Sequence, residues 1–347
     1  MSRKNFMLSP ASCAHTDLSS QLGCHLRIHL RRSMEQQVPG GGAGAAGDCE
    51  LEELQLPTLD LEHDELTEQL VAACRDPGVF RLVNHGVPCD LTARLFRLTR
   101  GLLELEPASK SNLPGYFWGT PALSLRVKEL NWVEGLHVDA ALTSPAAEGD
   151  EAGDAYSAFR KVVTDEYVPH MARIARKLFD ALAGVDAEQR TSYLEERGGT
   201  FRAYRYPARD PAAAVQYMGM EPHTDSSVLS ILNQDLVGGL QVLRDGSAGW
   251  RRVRPVEGTL VVNLGDMMQA MSGDAYRSAV HRVVAPSSPG TERMSLCYFA
   301  FPEEDAVICH PSGCYRGFSY REFREQVQAD IKATGAKVGL ARFRLHP

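Results

Sequence analysis

The pattern of apolar and polar residues changes character twice along the chain. Over residues 1–50 no period is sustained, and Gly40-Gly41-Gly42-Ala43-Gly44 offers nothing to pack, as in a flexible linker. Arg27, Arg31 and Arg32 precede it among few acids. This stretch is expected to be a disordered extension or a transit-like arm, with Met34 as an alternative start. Structure is expected from Leu56-Pro57-Thr58-Leu59-Asp60-Leu61 onward. Leu66, Leu70 and Ala73 recur at helical spacing and predict a helix over about 64–74. Val79-Phe80-Arg81-Leu82-Val83 predicts a short strand, followed by a helix over about 90–105. Residues 109–150, rich in Gly, Pro and Ser, are expected to be irregular. Val163, Tyr167, Ile174 and Leu178 mark the buried face of a long helix over about 156–182.

From Thr200 the period shortens to that of strands. Segments 200–206, 228–232, 239–243, 250–254, 259–264, 280–284 and 294–301 are rich in Val, Leu, Tyr and Phe between turn residues. Residues 319–334 return to helix. Many short strands at close spacing suggest a sandwich or barrel, a jelly roll among them. The expected class is α+β. A helical region over 51–195 leads into a β-rich core over 196–347 that ends in a helix.

Composition narrows the class without naming an activity. The chain has 347 residues, 37 Lys plus Arg, 44 Asp plus Glu and a formal charge of −7. No segment reaches the roughly 18 apolar residues of a membrane helix. Mild acidity leaves no nucleic-acid footprint. Eight cysteines are too sparse for a disulfide scaffold, and the pair Cys309 and Cys314 lacks zinc-site spacing, so free thiols are expected. A cytoplasmic monomer acting on a small molecule is expected, with the nucleus and the plastid as alternative locations.

The chemistry lies in the histidines. His-x-Asp occurs at His15/Asp17, His137/Asp139 and His223/Asp225, and alone it is a weak motif. His15 falls in the arm and His137 in the region expected to be irregular. His223 and Asp225 lie in an extended segment, where alternate side chains point the same way. His281, on the strand Val280-His281-Arg282-Val283-Val284, can complete a set of two imidazoles and one carboxylate. That set is the facial triad of non-haem Fe(II) oxygenases. Arg293 and Ser295 share a strand face, and an inward Arg needs an anion, so a carboxylate can be held there bidentately. Tyr204 and Tyr206 can add a phenolic donor.

His223-Thr224-Asp225, Gly238-Gly239-Leu240-Gln241, Val262-Asn263-Leu264-Gly265-Asp266, Ser278-x-x-His281-Arg282-Val283, Arg293-x-Ser295 and Val83-Asn84-His85-Gly86-Val87-Pro88 together resemble the plant 2-oxoglutarate- and Fe(II)-dependent dioxygenases over about residues 55–345. The resemblance implies a double-stranded β-helix (jelly-roll, cupin-like) core. It implies Fe(2+) held by His223, Asp225 and His281, and 2-oxoglutarate held by Arg293, Ser295 and Tyr206. O2 would be the second co-substrate and ascorbate an activator. Two departures stand out: Tyr204 occupies a position usually Asn, and Ser272-Gly273-Asp274 replaces the usual Ser-Asn-Gly. Leu130-Asn131-Trp132-Val133-Glu134-Gly135-Leu136-His137 and Gly339-Leu340-Ala341-Arg342-Phe343-Arg344-Leu345 resemble gibberellin oxidases. The substrate implied is a gibberellin or related diterpenoid acid, with hormone inactivation favoured. The same chemistry on an auxin, phenolic or alkaloid is the alternative, and a catalytically silent binding protein is the non-enzymatic one. Tyr116, Trp132, Phe299 and Phe301 are candidate pocket walls, and Lys128 or His137 could meet a substrate carboxylate.

Overall fold

The structure is a computed structural model that describes residues 51–119, 131–140, 151–182, 199–208, 218–244, 249–286 and 288–345. The expected arm over 1–50, with His15, and also Lys128 lie outside the described residues.

The helices form where apolar spacing places them. Helix α1 (Leu66–Arg75) buries Leu66, Leu70, Ala73 and Cys74. Helix α2 (Cys89–Leu103) buries Leu91, Leu95, Leu102 and Leu103, and the short α3 spans Pro107–Ser111. The long helix is present as α4 (Glu151–Lys161), a π-helical turn (Val162–Tyr167) and α5 (Val168–Ala181). Val163, Tyr167, Ile174 and Leu178 are all buried in it. Helix α6 spans Asp266–Met271 and α7 spans Tyr320–Thr334. Helix α7 starts where Ser319 Oγ accepts the Glu322 N–H and ends where Gly335 turns left-handed at φ 75°, the usual economies of a helix terminus.

The strands are β1 (Thr58–Asp60), β2 (Val79–Val83), β3 (Tyr116–Trp118), β4 (Glu134–Asp139), β5 (Thr200–Tyr206), β6 (Met218–His223), β7 (Leu229–Gln234), β8 (Leu240–Arg244), β9 (Gly249–Arg252), β10 (Leu260–Leu264), β11 (His281–Val284), β12 (Arg293–Ala300), β13 (Val307–Ile308) and β14 (Phe318–Ser319). They make an eight-stranded sheet, β1-β2-β10-β7-β12-β5-β4-β3, and a four-stranded sheet, β6-β11-β8-β9. Strand alternation divides the core in two. Phe201, Ala203, Ile231, Val262, Leu296 and Tyr298 pack outward with the helices. Tyr204, Tyr206, Val261, Cys297 and Phe299 face inward, in one cluster with Met220, Leu240, Val242 and Val283 of the smaller sheet. The jelly-roll core is thus present, with helices on the outer face of its large sheet.

Two expectations need correction. Within 109–150, the described residues include strands β3 and β4, and β4 pairs with β5 through six residues. The cause is that β4 carries polar side chains inside the protein. Glu134, 1% exposed, is held by Lys110 at 2.7 Å and Arg205 at 3.2 Å, and hydropathy alone cannot anticipate such pairing. Strand β6 was also hidden from pattern by Gly219 and Pro222, yet Gly219 is required there. A Cβ at Gly219 would stand 2.7 Å from the Tyr206 ring.

Candidate active site

His223 ends β6 and His281 begins β11, and the two stand directly opposite each other in the antiparallel ladder. Their rings lie 4.3 Å apart between centroids. Asp225, just beyond β6, approaches both: Oδ1 is 3.7 Å from His223 Nε2 and Oδ2 is 3.9 Å from His281 Nε2. The three donor atoms lie within 4.8 Å of one another and are, among the described residues, the group of such side chains able to hold a metal ion. His223 Nδ1 faces the Glu221 carbonyl at 2.7 Å and His281 Nδ1 the Ala279 carbonyl at 3.1 Å. Each carbonyl accepts an Nδ1–H and leaves Nε2 as the free ligand atom. Burial, and then the neighbouring His281, lower the His223 imidazole to about 4, so it is neutral and able to ligate. Burial alone would raise Asp225, but the two imidazoles and two hydrogen bonds outweigh it and hold the carboxyl well below the usual range.

Those hydrogen bonds come from residues with no role assigned by sequence. Ser230 Oγ and Asn263 Nδ2 both donate to Asp225 Oδ2, at 2.6 and 2.8 Å. The Val262–Asp266 motif now has a physical account. Asn263 orients the carboxylate. Gly265 lets the 225–228 loop approach, since a Cβ there would meet the Ser227 carbonyl oxygen at 2.0 Å. The Asp266 N–H donates to the Asp225 carbonyl at 2.8 Å. The Asp266 carboxylate accepts from Ser278 Oγ at 2.9 Å and pairs with Lys337 at 2.7 Å. Lys337 also donates to the Thr224 carbonyl. Ser278, the first residue of the Ser-x-x-His motif, is therefore tied to the same loop as His223 and Asp225.

Arg293, 1% exposed, sits at the other side of the inner face. Its Nη1 donates to Ser295 Oγ at 3.1 Å and its Nη2 to Gln234 Oε1 at 2.9 Å. The Tyr206 ring lies 4.8 Å beneath the guanidinium. Among the described residues no carboxylate pairs with this buried cation, and its Nε and the Gln234 Nε2 are buried donors without acceptors. Unsatisfied buried donors around a cation are the arrangement a carboxylate ligand completes. The residues therefore fit a 2-oxo acid whose far carboxylate meets Arg293. Gln234 was not foreseen; its register opposite Ser295 brings it in.

The remaining expected residues separate. Phe299 faces inward and stacks on Phe301, which stacks on Tyr320, at 6.3 and 5.3 Å. Tyr116 instead faces the helical layer, where its hydroxyl donates to Glu134 at 2.8 Å. Alternation along β3 gives the inner position to Phe117, edge-on to Tyr204 at 5.8 Å. Trp132 Nε1 donates to the Pro207 carbonyl at 3.0 Å and its ring meets Trp118 edge-on, which fastens this segment to the end of β5. Tyr204, at the departure from Asn, is buried and stacks on Tyr206. Gly273 and Asp274 both adopt positive φ, and Asp274 accepts from Gln269 and pairs with Arg344 at 2.9 Å, so the altered turn serves as a staple. His137 stands on β4, inward and opposite Arg202, rather than in irregular chain. Cys309 and Cys314 are not joined in a disulfide. No helix among the described residues is long and apolar enough to cross a membrane.

Comparison with known proteins agrees with this geometry. Residues 197–302 match the 2OG-Fe(II) oxygenase superfamily, and residues 52–152 match the N-terminal region of the non-haem dioxygenases in morphine synthesis. The chain is 36% identical to gibberellin 2-beta-dioxygenase 6 of Oryza sativa subsp. japonica, over 90% of this chain and 89% of that protein. It is 34% identical to gibberellin 2-beta-dioxygenase 8 of Arabidopsis thaliana, over 85% and 89%. The crystal structure of the dioxygenase for auxin oxidation in rice superposes with a TM-score of 0.64 and 26% identity, covering 84% of this chain and all of that one. The chain belongs to the 2-oxoglutarate- and Fe(II)-dependent oxygenases, as a member similar to the plant gibberellin 2-beta-dioxygenases.

Proposed function

We propose that this dioxygenase hydroxylates a gibberellin or a related diterpenoid acid, in the sense of hormone inactivation. The observation that carries the reading is the similarity to gibberellin 2-beta-dioxygenases along nearly the whole chain, helical region included. In this reading His223, Asp225 and His281 would hold Fe(II) as two imidazoles and one carboxylate. Arg293, Ser295, Gln234 and Tyr206 would receive the distal carboxylate of 2-oxoglutarate. When bound, iron with 2-oxoglutarate and O2 supplies hydroxylation of a C–H bond, with succinate and CO2 as co-products. The chain's own part is positional. The Glu221 and Ala279 carbonyls aim the imidazoles, Ser230 and Asn263 aim the carboxylate, and the inner-face aromatics Phe117, Phe299 and Phe301 exclude water from an apolar substrate.

The test is product analysis. Protein supplied with Fe(II), 2-oxoglutarate, ascorbate and a gibberellin panel is expected to give a product heavier by one oxygen atom, and mass spectrometry with NMR locates the new hydroxyl. Absence of gibberellin turnover, with turnover of indole-3-acetic acid or a phenolic, would move the same chemistry to that substrate, a direction favoured by the fold shared with the auxin-oxidising enzyme.

A further inference from the structure

Within the barrel one cation has no counter-charge among the described residues and no role in holding 2-oxoglutarate. Arg202 lies on β5 with its side chain inward, directly between His137 of β4 and Cys297 of β12. Among the described residues no carboxylate pairs with it. Its Nε donates to His137 Nδ1 at 3.1 Å, and its guanidinium lies 5.0 Å over the Phe299 ring. Neither neighbour neutralises it. An aromatic face offers only a weak attraction. His137 is held neutral, its imidazole lowered to about 4 by burial and then by Arg202 itself. Because Nδ1 accepts, the proton of this neutral ring is on Nε2. The Tyr204 hydroxyl, two residues along the same face, also meets the guanidinium but brings no charge, so the rest of the Arg202 fork and the His137 Nε2–H are left on the inner face for an anion. A partly buried guanidinium without an anion is costly in the free protein. That cost is relieved when a ligand brings the anion.

The position suits a substrate group rather than the co-substrate. Arg293, which fits the 2-oxoglutarate carboxylate, aligns with Tyr206, four residues along β5 from Arg202, or roughly 13 Å at strand rise. Cys297, the cross-strand neighbour of Arg202, is near enough to Asp225 to feel its charge. Arg202 thus stands toward the opposite end of β5 from the Arg293 position, with the Phe299–Phe301–Tyr320 stack beside it.

We infer that Arg202, oriented by His137, is the anchor for the substrate's carboxylate, and that the substrate is a carboxylic acid on an apolar frame lying against Phe299 and Phe301. This deepens the reading above, which names the acid, but it stands on the placement of Arg202 and is tested separately. Binding is measured anaerobically by calorimetry on the protein loaded with Mn(II) and 2-oxoglutarate. The probes are gibberellin acids, indole-3-acetic acid and the methyl ester of each. Wild-type protein is expected to bind at least one acid 10-fold or more tighter than its ester, and R202Q is expected to remove that preference while ester affinity and 2-oxoglutarate affinity stay within about twofold. R202K, which keeps the charge but loses the planar fork, is expected to retain part of the preference, and it serves if R202Q does not fold. Equal preference for acid over ester in wild-type and variant, or no acid preference in wild-type protein at all, overturns the inference. Absence of gibberellin turnover with acid preference intact overturns only the gibberellin reading.

Discussion

Asn263 offers the sharpest test of how the metal-holding carboxylate is prepared. Asp225 is 8% exposed, and Oδ2 takes both Ser230 Oγ and Asn263 Nδ2. Asn263→Ala deletes one hydrogen bond to a buried charge, a loss of about 1.5–3 kcal/mol. Two consequences compete. A carboxylate with fewer donors is more basic and holds a cation slightly better. It is also free to rotate, and misalignment of an oriented ligand lowers metal affinity about 10- to 100-fold. The geometry makes the second effect dominant, because Oδ1 points at His223 only while both donors pin Oδ2. Fe(II) affinity is therefore expected to fall about 10-fold in N263A and further in S230A/N263A, with less than additive losses because the two donors share one oxygen. Anaerobic Fe(II) titration in the presence of 2-oxoglutarate, followed by the visible charge-transfer absorption, reads this directly, and a thermal melt confirms folding. Affinity within twofold of wild type in a folded double variant would refute the argument.

Four further outcomes follow from the same contacts. His223→Ala should abolish iron binding and turnover while leaving the melt close to wild type, since it removes a ligand that is only part-buried; retained turnover would mean another ligand set. Arg293→Ala should raise the 2-oxoglutarate requirement about 10- to 100-fold, a charge-assisted pair of about 1.5–3 kcal/mol, and an unchanged KM for 2-oxoglutarate would remove Arg293 from that role. Glu134→Leu should lower stability by about 3 kcal/mol in a denaturant titration, because Lys110, Arg205 and the Tyr116 hydroxyl lose their common partner inside the protein; an unchanged midpoint would show the network to be neutral. Gly265→Ala should destabilise the chain and weaken iron binding together, since its Cβ displaces the 225–228 loop, whereas an effect on stability alone would separate that loop from the metal site.

The departures from expectation share a cause. Strands β5, β7, β10 and β12 were legible because they are short runs rich in apolar side chains, buried on both faces between the helices and the inner cluster. Strand β4 was not, because its buried positions include Glu134 and Gly135. A carboxylate reads as surface until Lys110 and Arg205 are known to face it, and a glycine reads as a turn until Phe117 is seen packed where its Cβ would be. Tyr116 and Phe117 show the same limit at the site: adjacent residues in a strand take opposite faces, and only the pairing of Tyr116 with Leu136 decides which face is which.

The sequence by itself determined the class of chemistry. Two imidazoles, one carboxylate and a strand-borne arginine are a donor set that few other arrangements use, and strand periodicity placed His281, Arg293 and Ser295 on extended chain. The tertiary structure shows how the chosen His-x-Asp pair meets its second histidine: β6 and β11 lie side by side and set His223 opposite His281. It likewise revealed Ser230, Asn263 and Gln234 as supports, and Arg202 as a cation with no counter-charge among the described residues. A polar side chain declares its role through its partner, and partners distant in sequence are brought together only by the pairing of strands.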